Sequence, residues 1–196
     1  MNVEPTGTEP QESSFQIEFF FDEVDRGQFS KEDLTQLRRA VMATLHSEDV
    51  QSAEISVAVV SGSRMQQLNL QYLNHDYDTD VLSFCLESEE DLGFLLGQLI
   101  VSLDFANQQC EALGQQHGKP ISLIHELSLY LVHGCLHLVG YDDHEPDDRS
   151  EMRRREHMIL TPLGMTPVWI TMDDSRLMNL DVSPEPFTNL SDERPS

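Results

Sequence analysis

Two histidines four residues apart, His133 and His137, lie in the stretch His133-Gly134-Cys135-Leu136-His137-Leu138-Val139-Gly140-Tyr141-Asp142-Asp143-His144. On a helix such a pair stacks one turn apart, with Cβ atoms about 5–6 Å from each other, so both imidazoles can reach one metal ion. Gly140 then ends the helix and lets the chain fold back, and that turn can bring a third donor, Asp143 or His144, to the same ion. Zinc accepts imidazole nitrogen and carboxylate oxygen, and three protein ligands leave a fourth position for the water that hydrolysis needs. The spacing therefore predicts one Zn2+ per chain on His133 and His137, completed by Asp143 or His144. Two ordinary histidines near a helix end would explain the pair alone. The glycine and the run of ionisable groups behind it favour metal. Cys135, two positions past His133, faces another side of the helix and is not a predicted ligand.

Metalloproteases with helical zinc histidines carry a glutamate beside the first histidine as general base. Gly134 occupies that position, so the ligand spacing survives without the group that activates water for peptide cleavage. No catalytic base is assigned from sequence; Asp80 and Glu126 are the candidates left.

The histidines end the longest apolar-periodic run, Pro120 to Leu138, which reads as a buried helix opened by Pro120. Glu126 shares a side with His133 and could orient its second ring nitrogen. Upstream, Phe15 to Phe21 and Ala53 to Val60 alternate as strands. Ser30 starts a helix through Leu45, and Met65, Leu68 and Tyr72 mark another. The loop Asn74 to Asp80 carries Asp76, Asp78 and Asp80 and leads into a short strand at Val81–Phe84; it lacks the glycine and closing glutamate of a calcium loop. Glu87 to Asp91 reads as an exposed acidic turn, Leu95 to Leu103 as a strand, and Asp104 as the start of a helix. Glu145-Pro146-Asp147-Asp148 starts the last helix, which holds Met152, Glu156, Ile159 and Leu160. Arg149, Arg153, Arg154 and Arg155 on it form a basic patch suited to phosphate or to neighbouring carboxylates. The order β-α-β-α-β-β-α-α-α predicts an α+β fold: a small mixed four-stranded sheet packed with about five helices, the metal site at the end of a central helix.

The chain has 196 residues, with 12 Lys and Arg against 35 Asp and Glu, a formal net charge of -23. That length suits one domain, expected over residues 15–170 between a disordered lead at 1–14 and an acidic flexible tail at 171–196, with Val168 to Thr171 adding some extended structure. The charge opposes non-specific nucleic-acid binding and demands local contacts. Three cysteines without paired spacing suggest no disulfide scaffold. With no bilayer-length apolar run and no basic-then-apolar leader, a soluble cytoplasmic protein is expected, with no membrane partner.

At His133-Gly134-Cys135-Leu136-His137-Leu138-Val139-Gly140-Tyr141-Asp142 the chain resembles the YbeY family of bacterial metal-dependent endoribonucleases. Leu68-Asn69 with Tyr72, Asp76, and Thr79-Asp80-Val81-Leu82-Ser83-Phe84 match the family's upstream motif, and the likeness runs from about Phe15 to Leu163. The resemblance implies a hydrolase cleaving single-stranded RNA, acting in 16S rRNA 3′-end maturation and ribosome quality control. Its partners would be ribosomal RNA and the ribosome or small subunit, with no DNA expected. The family's third histidine falls at Asp143 here, and the register of Glu151-Met152 supports that equivalence, whereas imidazole chemistry favours His144. An arginine usual in the family after the aromatic of the Leu-Asn segment is Leu73, so phosphate contact must come from elsewhere, such as His75 or the Arg153 cluster. The Gly-Asp pair before the family's later strand is Gly97-Gln98. Two other readings stand beside this one: a ribosome assembly factor with structural zinc, and a metalloprotease, which Gly134 disfavours.

Overall fold

The structure, a computed structural model, describes residues 14–89 and 93–167. Strands β1 (Ser14–Asp22), β2 (Ser52–Val60), β3 (Val81–Glu89) and β4 (Phe94–Ser102) form one sheet in the order β1-β2-β4-β3. The first two junctions are parallel, and β3 runs antiparallel to β4 at one edge. Helices α1 (Lys31–Ser47), α2 (Gly62–Leu73), α3 (Leu103–His117), α4 (Leu123–Leu138) and α5 (Pro146–Leu160) complete the α+β architecture, in the element order read from the sequence.

Side-chain alternation divides the sheet between two helical layers. Ile55, Val57 and Val59 of β2 and Leu95, Leu99 and Val101 of β4 join the main core with α1 and α4. Val60, Leu82 and Ile100 point to the opposite face and meet Met65 and Leu68 of α2. Helix α4 runs through the middle, touching α1, α3, α5, β3 and β4. Leu127 through Val132 are all buried, as expected of a helix apolar nearly all round.

Local chemistry explains where elements begin. Helix α1 carries a full capping box, Ser30 accepting from Asp33 N and the Asp33 carboxylate accepting from Ser30 N. Helix α4 starts at Leu123, not at Pro120, because the Ser122 hydroxyl accepts from His125 N and fixes the first turn there. For the same reason α3 starts at Leu103, one residue before Asp104, with Ser102 as its cap. Residues 87–89 of the acidic turn expected at 87–91 are strand instead. A bulge leaves Leu86 unpaired and 61% exposed, after which Glu87, Ser88 and Glu89 pair with Leu96, Leu95 and Phe94. Residues 1–13 of the expected lead, residues 90–92, the extended segment from Val168 and the acidic tail lie outside the described residues, while Ser14 is the first residue of β1.

Candidate metal centre and cleft

His133 and His137 project from the last turns of α4, their rings crossing at 89° with centroids 4.6 Å apart. Each ring is oriented through Nδ1. His133 Nδ1 lies 2.7 Å from Glu156 Oε1, and His137 Nδ1 lies 3.0 Å from the Tyr141 carbonyl. A carbonyl and a carboxylate only accept, so each Nδ1 carries a proton, and in the neutral form of each ring Nε2 presents its lone pair. Those Nε2 atoms face each other at 3.1 Å. At that distance two bare lone pairs repel, and either a shared proton or a common cation relieves it. Tetrahedral zinc with nitrogens at about 2.0–2.1 Å would hold them ~3.3 Å apart, so the pair fits such an ion with almost no adjustment.

The loop beyond α4 brings a carboxylate toward the pair. Gly140 adopts φ 97°, a left-handed conformation that releases the chain from the helix, while Tyr141 N donates to Leu136 O. The Tyr141 hydroxyl donates to Glu48 Oε2, and Arg149 donates to the Asp143 and His144 carbonyls, so the loop is held at both ends. Asp143 Oδ2 then stands 3.9 Å from His133 Nε2, and His133, His137 and Asp143 offer ligand atoms within 4.8 Å of one another. His144 is not brought to the pair: its ring bonds to Asp142 Oδ1 and its side chain is 82% exposed. With Asp142 and Asp143 it forms a second, outward-facing group of donors.

Carboxylates set the electrostatics. Burial alone would pull the His133 pKa down, but the hydrogen bond and charge of Glu156, with Asp80 and Asp143 nearby, raise it above the ordinary value. Burial pushes the Glu126 carboxyl up, the Tyr130 hydroxyl drawing it down and the Asp80 charge adding to the rise. Asp142 is held below the usual carboxylate range by the His144 hydrogen bond, which raises His144 in turn.

A cleft of about 360 Å³ opens beside His133, bordered by Asp80, Glu126, Tyr130, Asp143 and Glu156 and by Arg149 and Arg153. The basic patch therefore divides. Arg154 turns to Glu151 and Arg155 to Glu48 and Ser47, while Arg149 and Arg153 reach the cleft. Leu73, 50% exposed, and His75, stacked on Tyr77, do not line it. Asp76 bonds to Gln66 and Asp78 to Ser102, so Asp80 alone of that loop's carboxylates borders the cleft. The sequence offered Glu126 as a residue that could orient His133; the partner at its Nδ1 is Glu156, 4% exposed and one turn after Met152. An acid at a position of α5 otherwise filled by Met152, Ile159 and Leu160 was the signal available.

A family model described as Endoribonuclease YbeY matches residues 20–164. Proteins named Endoribonuclease YbeY include one from Bacillus pumilus, 33% identical over 153 residues that cover 72% of this chain and 92% of that one. Another, from Carboxydothermus hydrogenoformans, is 36% identical over 129 residues, 66% of this chain and 85% of the relative. A Thermotoga maritima protein solved in solution superimposes with a TM-score of 0.48 at 19% identity, over 80% of this chain and 98% of its own.

Proposed function

Since the chain belongs to the YbeY family of endoribonucleases, we propose that it hydrolyses phosphodiester bonds of single-stranded RNA, with one zinc ion held by His133, His137 and Asp143. The observation that carries the metal assignment is the convergence of two Nε2 atoms at 3.1 Å, each ring oriented by an acceptor at its Nδ1. A cation bound there would polarise a phosphoryl oxygen and lower the pKa of its water. The donor group has three members among the described residues, which suits an open coordination position better than a closed structural site.

The chain's own residues supply orientation and charge. Glu156 holds the His133 ring and raises its basicity, and the Tyr141 carbonyl does the same for His137. Arg149 and Arg153, which border the cleft, can face the phosphates on either side of the scissile bond. Asp80, its Oδ1 accepting from Val81 N and the Thr79 hydroxyl, borders the same cleft and is assigned to take a proton from the attacking water. His144, outside the pair, is assigned to neutralising Asp142 rather than to the ion.

Within the same proposal the RNA is ribosomal, the step is late processing at the 3′ end of 16S rRNA with a part in ribosome quality control, and the setting is the cytoplasm on or beside the small subunit. No helix among the described residues is long and apolar enough to cross a membrane. A net charge of -23 makes free RNA a poor long-range ligand, which supports affinity supplied by a ribosomal partner. The test is cleavage of single-stranded RNA by purified protein with and without chelator, beside His133→Ala and His137→Ala. Cleavage unchanged in both variants would overturn the assignment.

A further inference from the structure

We propose that the cleft beside His133 is a base-recognition subsite that takes one unpaired guanine of the RNA, with Glu126 and Tyr130 reading its Watson–Crick edge. The inference rests on the endoribonuclease reading and specifies the substrate chemistry of the same site.

The Tyr130 hydroxyl is buried, interacts with the neighbouring Glu126 carboxyl without forming a hydrogen bond of full geometry, and belongs to a residue that is only 4% exposed and borders the cleft. A buried donor left unsatisfied carries a standing cost that a ligand acceptor removes. One turn earlier on α4, Glu126 is 7% exposed and borders the same space, so a carboxyl acceptor and a hydroxyl donor stand side by side. Phe105 meets the Tyr130 ring edge-on at 6.2 Å, and with Leu129 and Met152 it gives the cleft apolar walls. At about 360 Å³ the space lies near the lower end for ligand pockets and suits a single base rather than a larger group.

The polar pattern selects the base. Guanine presents N1–H and N2–H as adjacent donors with O6 beside them as an acceptor. It is the one RNA base with two neighbouring donors that a single carboxylate can accept. Tyr130 O–H can then donate to O6. A paired guanine has that edge occupied, so the subsite accepts only a base splayed from a single strand. Because this recognition uses α4 residues one and two turns before His133, it would fix the reading frame of the strand relative to the metal donors.

The experiment measures binding of GMP, IMP, AMP, CMP and UMP to the full chain by calorimetry, then repeats it with Glu126→Gln and Tyr130→Phe. GMP should bind about tenfold more tightly than the other four, IMP losing the advantage because it lacks the N2 amino group. Glu126→Gln should abolish the preference and Tyr130→Phe reduce it severalfold. Equal binding of all five nucleotides to the wild-type protein overturns the proposal, and the GMP–IMP comparison needs no variant to fold. Nucleotide binding requires no turnover. RNA cleavage without guanine preference therefore removes the subsite and leaves the nuclease, while guanine preference without cleavage does the reverse.

Discussion

Replacing Glu156 with glutamine isolates the charge behind His133. The wild-type carboxylate accepts from Nδ1 at 2.7 Å in a position only 4% exposed, so the bond is short, charge-assisted and shielded from water. Glutamine keeps an acceptor oxygen of nearly the same size in the same place. A hydrogen bond to a charged group contributes about 1.5–3 kcal/mol and a neutral one about 0.5–1.5, so Glu156→Gln should lose roughly 1–1.5 kcal/mol of support for the metal-binding tautomer. At about 1.4 kcal/mol per decade the expected result is a fall in zinc affinity of near tenfold, the low end of the ~10–100-fold seen for such outer partners. Competition against a chromophoric chelator reads it directly. Histidine titration followed by NMR in metal-free protein gives a second reading, since loss of the charge should lower the His133 pKa that Glu156 now raises. Unchanged zinc affinity in a folded Glu156→Gln protein would refute the claim that the carboxylate tunes this ligand.

Three further outcomes follow from the same geometry. Asp143→Ala should purify with little zinc while His144→Ala keeps close to one ion per chain, as metal analysis will show; the reverse pattern would hand the third position to His144. For Glu126 the sign is set by burial: a carboxyl whose folded pKa is raised contributes stability below its unfolded value and loses it as pH rises through the folded one. Denaturation midpoints compared between wild type and Glu126→Gln should therefore show wild type losing ground as pH rises from the ordinary carboxylate range toward neutrality, and a constant difference would contradict it. Because protons compete for a His133 whose affinity for them is raised, zinc binding should strengthen with pH between about 6 and 8, measured by chelator competition.

The histidine pair was legible because spacing of four on a helix fixes a shared face whatever surrounds it, and the strand alternation of β2 sorted its side chains between two layers before any partner was known. What pairs across the chain was not legible. Glu156 meets His133 over 23 residues, and Glu48 meets Tyr141 over 93, contacts that no local period encodes. Helix period does explain, after the fact, how the arginines divide. Arg149, Arg153 and Glu156 lie at i, i+4 and i+7 on the side of α5 that borders the cleft, while Arg154 and Arg155 turn toward Glu151 and Glu48. Reading the four arginines as one patch ignored that rotation. The start assigned to Pro120 failed for a different reason: proline suits the first helical turn, yet Ser122 offers a side-chain acceptor to an otherwise unpaired N–H, and the helix begins where that bond forms.

Gly134 shows that the missing protease glutamate is a consequence of packing as much as of chemistry. Helix α4 lies so close to the sheet there that a Cβ on residue 134 would come within 2.9 Å of both Leu99 Cδ2 and Val81 Cγ2. Leu99 is fully buried and valine is stiff at χ1, so neither side chain can readily withdraw. Alanine at this position should gain about 1 kcal/mol of helix propensity and lose about 1–3 kcal/mol to overpacking, leaving a small net destabilisation. Glutamate adds a charge aimed into the layer between α4 and β4, with a cost of several kcal/mol against a total stability of roughly 5–15. Gly134→Glu should thus unfold or lose zinc instead of gaining peptidase activity, as circular dichroism and metal content will report. A folded, zinc-loaded Gly134→Glu protein that cleaves peptides would show that the face of α4 toward β4 is open to the metal, and the separation of the histidine face from the packed face would be wrong.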